Sequence, residues 1–500
     1  MTSTTQQKTS RLALRFFSNA TFYGLGAVLV RFGSFLVLPI YWKWLSPEDF
    51  GRITVAQIVS GLLIAIFDLG MSGSIQRHYF EWSVNERPRH LAAVWSFSFL
   101  FSLLLSLLLS FSTNYLGLFF SDQVSSKVIL LGIWTAFFQN FGVLPFSLCR
   151  IQERLPLFSA LSLGQFLVQT VATLIFLIPL KMGFEGYLWG LLSGAIIYGF
   201  LCLILIFKEI VFPWNWQHLK APLYYALPAA PASILDGMGS ILDRFFLQKY
   251  VPLAELGIYS LSRQFSQAYN FFQSTLKNSW VPLVYRVVAE RDDAALVMSK
   301  LSSYYLLVLS FPALIIAILS PHLIYIINNP DYFSVGPYIP ALVFATMLTG
   351  IGVIYGRGLD LSKKTQYYWI MYAVYFVANI GLLSWLAPKY GVWGAIISLL
   401  IASAMKEIVQ IGLASYFYPK PVAWKAILTI ILIQGLCYIL CTSISVTSHW
   451  AAIIIKFFII CLSSFIGLVA IVGWKNLSRL IKSFLNRKIA KANGIHWMDF

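Results

Sequence analysis

Charge is scarce in this chain of 500 residues: 11% are Asp, Glu, Lys or Arg, against about a quarter in an ordinary soluble domain. With 59% hydrophobic residues and a mean hydropathy of +0.75, that deficit excludes a conventional soluble fold. Acidic residues are scarcer still, 19 against 36 Lys and Arg, giving a net charge of +17. The cations are scattered through short loops rather than gathered on one face, so a nucleic-acid partner is not expected. Cysteine is limited to Cys149, Cys202, Cys437, Cys441 and Cys461, all in apolar runs without a CxxC pair. This argues against a disulfide framework or a zinc site and makes them packing residues. HExxH and GxxxxGK[ST] are missing, the six histidines are dispersed, and the longest connections run to about 10–16 residues. No cofactor, metal or catalytic constellation is expected, and the chain reads as a non-enzyme. The first fifteen residues are polar without a small-residue cleavage site, so the first helix is expected to stay in the membrane.

Long apolar runs fill the sequence. A span of hydrocarbon takes about 20 apolar residues, and fourteen stretches qualify: 16–44, 51–76, 91–113, 126–149, 156–180, 186–207, 222–249, 256–285, 302–328, 338–361, 366–387, 391–416, 422–446 and 450–474. The predicted fold is an all-α polytopic membrane protein. Its predicted organisation is a tail over 1–15, six helices over 16–221, six more over 222–421, a helix pair over 422–474 and a basic tail over 475–500. With the N-terminus inside, inner segments hold 23 Lys and Arg and outer ones six. The positive-inside rule then puts both termini in the cytoplasm.

The halves echo each other, as transporter repeats do. Asp49-Phe50-Gly51 matches Glu255-Leu256-Gly257. Gly183-x-x-Gly186 after Pro179 matches Gly391-x-x-Gly394 after Pro388, and Gly142-Val143 with Arg154 matches Gly352-Val353 with Lys364. Six helices separate each pair, so the repeat is parallel, with its axis along the membrane normal.

An ionisable group at membrane depth costs about 2.5–3.5 kcal/mol on insertion scales unless water or a partner receives it. Arg31 lies mid-helix among small residues and reads either as a cavity cation or as an ion-pair partner of Asp68 or Asp236. The eighth helix carries Arg263, Gln267, Asn270, Ser274 and Lys277 at i, i+4, i+7, i+11 and i+14, a polar seam that cannot face lipid. It reads as a substrate surface or as polar glue between helices. Pro228 and Pro231 permit a hinge in the seventh helix. Asp68 and Asp236 are candidate coupling or ion-pair acids, and Asp243-Arg244 falls near an outer end. Arg244, Arg357, Asp360 and Lys456 are expected to snorkel from helix ends. Lys406 and Glu407 are adjacent and face different ways, so separate partners are expected.

Three stretches carry a family likeness: YGLGAVLVRFGSFLVLPIYWKWLSPEDFGRI (Tyr23 to Ile53), DLGMSGSIQRHYFE (Asp68 to Glu81) and LDRFFLQKYVPLAELGIYSLSRQF (Leu242 to Phe265). They resemble the polysaccharide or O-antigen repeat-unit flippases (Wzx-type) of the multidrug/oligosaccharidyl-lipid/polysaccharide exporter superfamily, which is MATE-like, and the likeness covers residues 16 to 474. The resemblance implies two pseudo-symmetric six-helix lobes plus a C-terminal pair and a central cavity opening alternately to each side of the cell membrane. It also implies an undecaprenyl-diphosphate-linked oligosaccharide as cargo, moved with ion coupling. Membrane lipids and the polymerase and glycosyltransferases of the same pathway are the expected partners. A peptidoglycan-precursor flippase and a cation-coupled multidrug antiporter share the implied fold, and a membrane glycosyltransferase or polymerase is disfavoured by the short loops.

Overall fold

A capping box opens the first long helix of the computed structural model. The side chain of Ser46 accepts from the Asp49 amide, and Asp49 accepts from the Ser46 amide at 2.9 Å, with Pro47 at the first helical position. The polar run Ser-Pro-Glu-Asp therefore belongs to the helix, which starts four residues before the boundary expected from hydropathy. The structure describes residues 30, 33–117, 119–120, 124–239, 241–290, 293–362, 364, 367–419, 424–446 and 448–472. Arg31, the tail over 1–15 and the basic tail over 475–500 lie outside the described residues.

The chain is an all-α polytopic membrane protein. Among the described residues there is no strand, and nine helices are long and apolar enough to cross a membrane. It divides into two compact units, Met1–Leu261 with Leu383–Ala395, and Ser262–Leu382 with Ile396–Phe500.

The first unit runs α1 (33–44), α2 (Pro47–Asp68), α3 (Met71–His78), α4 (Arg87–Phe111), α5 (Thr113–Gly117), α6 (Ser126–Asn140), α7 (Val143–Ile151), α8 (Leu155–Leu177), α9 (Gly183–Ile206), α10 (Trp216–Gly239), α11 (Leu242–Tyr250) and the start of α12 (Leu253–Glu290). The expected helix over 51–76 is two helices, because Leu69 (φ 45°) and Gly70 (φ 77°) turn left-handed between α2 and α3. The run expected over 222–249 is likewise split between α10 and α11.

Lipid tails are as apolar as leucine, so helices in a bilayer associate by close packing at small residues. Gly186, Gly190 and Gly194 recur every four residues along α9 and press on Phe176, Thr173 and Gln169 of α8; an added methyl would meet their backbones at 2.8, 2.3 and 2.7 Å. Gly132 of α6 lets α2 approach in the same way, at the Ala56 carbonyl. Pro222 in α10 lacks the N–H that the His218 carbonyl would have received. That carbonyl is instead 2.8 Å from Nδ1 of His90 on α4, and the carbonyl of Pro222 itself accepts from Ser74 of α3 at 3.0 Å. His90 also stacks on Trp82, with ring centroids 4.5 Å apart.

The second unit continues α12 and adds α13 (Ala294–Ile327), a 3-10 turn (Pro330–Val335), α14 (Tyr338–Tyr355), α15 (Gly358–Leu361), the long α16 (Tyr368–Phe417) apart from its Leu383–Ala395 stretch, which belongs to the first unit, α17 (Trp424–Ser443) and α18 (His449–Val472). Its glycine contacts join α14 and α15 to α16, where Gly352 meets Glu407, Gly356 meets Gln410 and Gly358 meets the Ala414 backbone. Cys437 and Cys441 are buried with Leu314, Ile318 and Ile460 between α13, α17 and α18. All five cysteines are free thiols, four buried and Cys461 partly so.

α16 is continuous in name only. Gly391 has φ 53° and ψ −128°, and Gly394 is pressed against the Leu386 carbonyl, which would stand about 12 Å away on a straight helix. The chain therefore doubles back at Gly391, within the Leu383–Ala395 stretch that belongs to the first unit, as it does at Gly183, where φ is 59° and Gly186 meets the Phe176 carbonyl. The glycine pairs matched in sequence thus do the same job.

A second matched pair makes a closer correspondence. A methyl on Gly51 would lie 2.0 Å from the carbonyl oxygen of Leu253, and one on Gly257 2.0 Å from that of Pro47. Each glycine receives the carbonyl four residues upstream of the other. Backbone blocks both positions, so Gly51→Ala or Gly257→Ala is expected to lower stability by about 1–3 kcal/mol through overpacking. Thermal melting in detergent reads this, with Gly164→Ala and Gly412→Ala, which meet nothing within 4 Å, as controls. Because one helix crossing relaxes for both, the double variant should cost less than the sum of the single ones.

Candidate functional site

α12 is 38 residues long and two-faced. Within the second unit, one face is tied down: Ser262 donates to the Val335 carbonyl at 3.0 Å, Tyr269 to the Leu309 carbonyl at 3.3 Å, and Gln273 to the Thr349 hydroxyl at 3.0 Å, while Trp280 packs on Tyr305. The polar groups of this face are buried, and their partners lie on the 3-10 turn, α13 and α14. The sequence reading passed over them, since Ser and Thr in an apolar run carry no signal of which way they point.

The other face carries the seam. Gln267, Asn270, Ser274 and Lys277 are all exposed, and Arg263 is half-buried with its guanidinium 3.3 Å from the Ser266 hydroxyl. The Ser274 hydroxyl bonds back to the Phe271 carbonyl of its own helix. Among the described residues neither Asn270 nor Lys277 has a hydrogen-bond or ion-pair partner. The second unit is thus held by one face of α12 and presents the seam outward.

Several other charges within the described helices are paired. Asp243 is buried and accepts from the Tyr259 hydroxyl, with Arg244 of α11 3.9 Å away and only 12% exposed, so Arg244 does not snorkel. Arg357 and Asp360 form an ion pair at 2.7 Å to which the Tyr368 hydroxyl adds a bond of 2.7 Å, again instead of reaching outward. Lys456 is buried beside Cys441 and His322 rather than extended to an interface. Lys406 reaches Oε1 of its neighbour Glu407 at 2.9 Å. The two were expected to need separate partners because adjacent side chains leave a helix about 100° apart; the four-carbon lysine stem is long enough to bend around that angle.

Asp68 ends α2 and accepts from both the amide (3.1 Å) and the hydroxyl (2.8 Å) of Ser72 on α3. Asp236 falls within α10, as do Pro228 and Pro231, which are exposed. Histidine, cysteine and carboxylate groups able to hold a metal ion do not cluster among the described residues.

The family described as polysaccharide biosynthesis protein matches residues 43–329, more than half of the chain. Two Haemophilus influenzae proteins are similar: an uncharacterized membrane protein, 20% identical over 66% of this chain and 80% of its own length, and Lsg locus putative protein 1, 19% identical over 77% and 96%. In fold the chain is similar to the lipid II flippase MurJ in an inward closed conformation, with a TM-score of 0.72, 16% identity and coverage of 92% of this chain and 98% of that one. It is also similar to a mutant of the Vibrio cholerae MATE transporter VcmN (TM-score 0.53, 17% identity, 82% and 97% covered) and to an inward-facing multidrug resistance MATE transporter of the MOP superfamily (0.54, 15%, 79% and 94%). The chain belongs to the polysaccharide biosynthesis protein family.

The exposed face of α12 makes a direct prediction. In otherwise cysteine-free protein, Asn270→Cys and Ser274→Cys should react with a charged, membrane-impermeant maleimide in permeabilised vesicles, and Ser262→Cys and Ser266→Cys should not. Labelling of all four, or of none, would contradict the two-faced helix.

Proposed function

We propose that this member of the polysaccharide biosynthesis protein family carries an undecaprenyl-diphosphate-linked oligosaccharide, an O-antigen, capsule or exopolysaccharide repeat unit, from the cytoplasmic to the outer face of the cell membrane. The single observation that carries this reading is the outward face of α12, with two cations and three neutral polar groups on four turns, of which Asn270 and Lys277 have no hydrogen-bond or ion-pair partner among the described residues. Such a stripe is too costly against lipid, so it lines water or cargo. A diphosphate needs cations and a sugar chain needs neutral hydrogen-bonding groups; the seam supplies both. Arg263 grips phosphate oxygens as a fork, Lys277 attracts them as a point charge, and Gln267, Asn270 and Ser274 replace water around hydroxyls. Arg31 is proposed as a further cavity cation, Pro228 and Pro231 as the hinge, and Asp68 and Asp236 as acids that couple the cycle to an ion.

In this reading the lobes are 16–221 and 222–421, followed by the pair 422–474, fourteen helices with both termini cytoplasmic. The polyprenyl tail stays in lipid while the head group crosses, and the enzymes that assemble and polymerise the repeat unit work on either side. A second reading, transport of a peptidoglycan-precursor lipid, is favoured by the extent of the likeness to the lipid II flippase, at 92% of this chain. Both cargoes share the polyprenyl diphosphate, and the same seam would serve either.

Loss of the gene should leave lipid-linked repeat units on the inner face while sugar transfer in extracts continues; glycosyl transfer by the purified protein alone would overturn the reading. In reconstituted vesicles Arg263→Ala or Lys277→Ala should slow head-group translocation roughly ten- to a hundredfold, the loss of one charge-assisted contact of about 1.5–3 kcal/mol. Arg263→Lys should recover part of the rate, since a point charge replaces a planar fork. If the seam were structural glue, each variant would instead lose melting temperature in step with its activity. A reporter after Lys364 should be cytoplasmic and one at Asn329 external.

A further inference from the structure

Where α13 ends and α18 begins, the second unit gathers basic side chains that the flipping reading does not use. His322, five residues before the end of α13, has its Nδ1 3.5 Å from Nδ1 of His449, the first residue of α18. Tyr325 stacks on the His449 ring, 5.2 Å away and tilted by 11°, and fixes its plane. Lys456 lies seven residues further along α18, about 10 Å down the axis, but a helical side chain points back toward the start of its helix. Its ammonium is thereby brought beside His322, whose titratable neighbours are Lys456 and His449, both basic. The titratable group acting on Lys456 besides is the Cys441 thiol. Lys456 is only 6% exposed, and among the described residues it has neither a hydrogen-bond nor an ion-pair partner. An enclosed ammonium without a counter-charge is costly unless an anion meets it. The start of α18 adds donors. Its first bond runs from the Ala452 amide to the Ser448 carbonyl at 2.9 Å, so the amides of His449, Trp450 and Ala451 precede the ladder, and among the described residues no side chain caps them.

We infer that this cluster binds the phosphodiester of an acidic phospholipid. With both imidazoles neutral the site carries the one charge of Lys456, which matches the single charge of a phosphodiester and leaves a diphosphate undercompensated. The hydrogen bond between the two Nδ1 atoms uses the proton of one ring, so the other carries its proton on Nε2 and donates it outward. Together with the first amides of α18 it supplies neutral donors for the remaining phosphate oxygens. Position selects a lipid over a soluble anion. Both helices are long and apolar enough to cross a membrane, and Trp450, 63% exposed on the first turn of α18, marks the level of the membrane surface. Below it, Ile454 and Phe458 are exposed on the same helix and offer acyl chains an apolar bed. A zwitterionic lipid brings its own cation to the phosphate, so an acidic one binds better. Bound there, the lipid bridges α13 and α18 and helps seat the last two helices within the second unit. Its supply from the outer leaflet rests on the topology proposed above; its binding does not.

The test omits cargo. Full-length protein in phosphatidylcholine nanodiscs is melted as phosphatidylglycerol is added, and the phosphatidylglycerol retained after delipidation is counted by native mass spectrometry. A saturable rise in melting temperature and tight retention of phosphatidylglycerol are expected. Lys456→Met should weaken retention roughly tenfold and remove most of the rise, yet melt no lower than the unsubstituted chain in pure phosphatidylcholine, because it deletes a charge that has no partner there. His449→Gln should weaken retention as well. Lys425→Met, exposed on α17, should change neither readout, which separates the site from general attraction to an acidic surface. Inorganic phosphate in pure phosphatidylcholine should not reproduce the rise; if it does, the occupant is a soluble anion and the lipid assignment fails. Equal melting with and without phosphatidylglycerol, retention unchanged in Lys456→Met, or a fall in its melting temperature by the same amount in both lipids, as a purely structural lysine would give, would overturn the inference.

Discussion

In hydrocarbon no water is at hand to receive a backbone N–H or C=O, so each interruption of a helix must be closed from within the protein. The bends of this chain are built to that requirement. At Leu69-Gly70 the left-handed turn is bridged by Asp68, which takes the amide of Ser72 as α3 begins. At Pro222 the orphaned carbonyl of His218 is met by an imidazole from another helix. At Gly391 the chain reverses over a glycine, and Gly394 lets the returning helix lie against the Leu386 carbonyl. The same shortage of driving force explains the glycine rows: without a hydrophobic gain on leaving lipid, helices bind one another by approaching closely, and Gly186, Gly190 and Gly194 allow it.

Charges obey the rule more strictly. Asp243 has a tyrosine hydroxyl, Glu407 its neighbouring lysine, and Arg357 an aspartate that a second tyrosine steadies. These pairs consume the charge they contain and leave little for a ligand. The outward face of α12 differs because its groups are polar, largely exposed and spaced at helical intervals, whereas Ser262, Tyr269 and Gln273 on the inward face bond to the 3-10 turn, α13 and α14. A single helix thus separates cohesion from contact with whatever lies in front of it.

Much of this was readable in the sequence because it depends on period and composition. Hydropathy located the apolar helices, and spacing placed Gln267, Asn270, Ser274 and Lys277 on one face, where the structure has them. Family membership was legible in the stretches around Tyr23 to Ile53 and Leu242 to Phe265. What escaped was set by side-chain reach or by backbone torsion. Lys406 curls onto Glu407, Lys456 turns inward, and α2 breaks at Leu69, a residue type that rarely adopts a positive φ and gives no warning of it.

The meeting of Gly51 with Leu253 and of Gly257 with Pro47 has the form of an isologous contact, in which residue i touches j and j touches i, as a two-fold axis demands of identical subunits. Here both copies of the surface lie on one chain. Identical subunits must change on both sides of such a contact at once, whereas a covalent pair can change one side alone. The flanking residues already exploit this freedom: Asp49 caps its own helix through Ser46, while its counterpart Glu255 stands at the reversal marked by Gly391, 3.6 Å from where a side chain there would begin. Symmetry is kept at the glycines, where backbone leaves no alternative, and is broken two residues away, where side chains are free to take different partners.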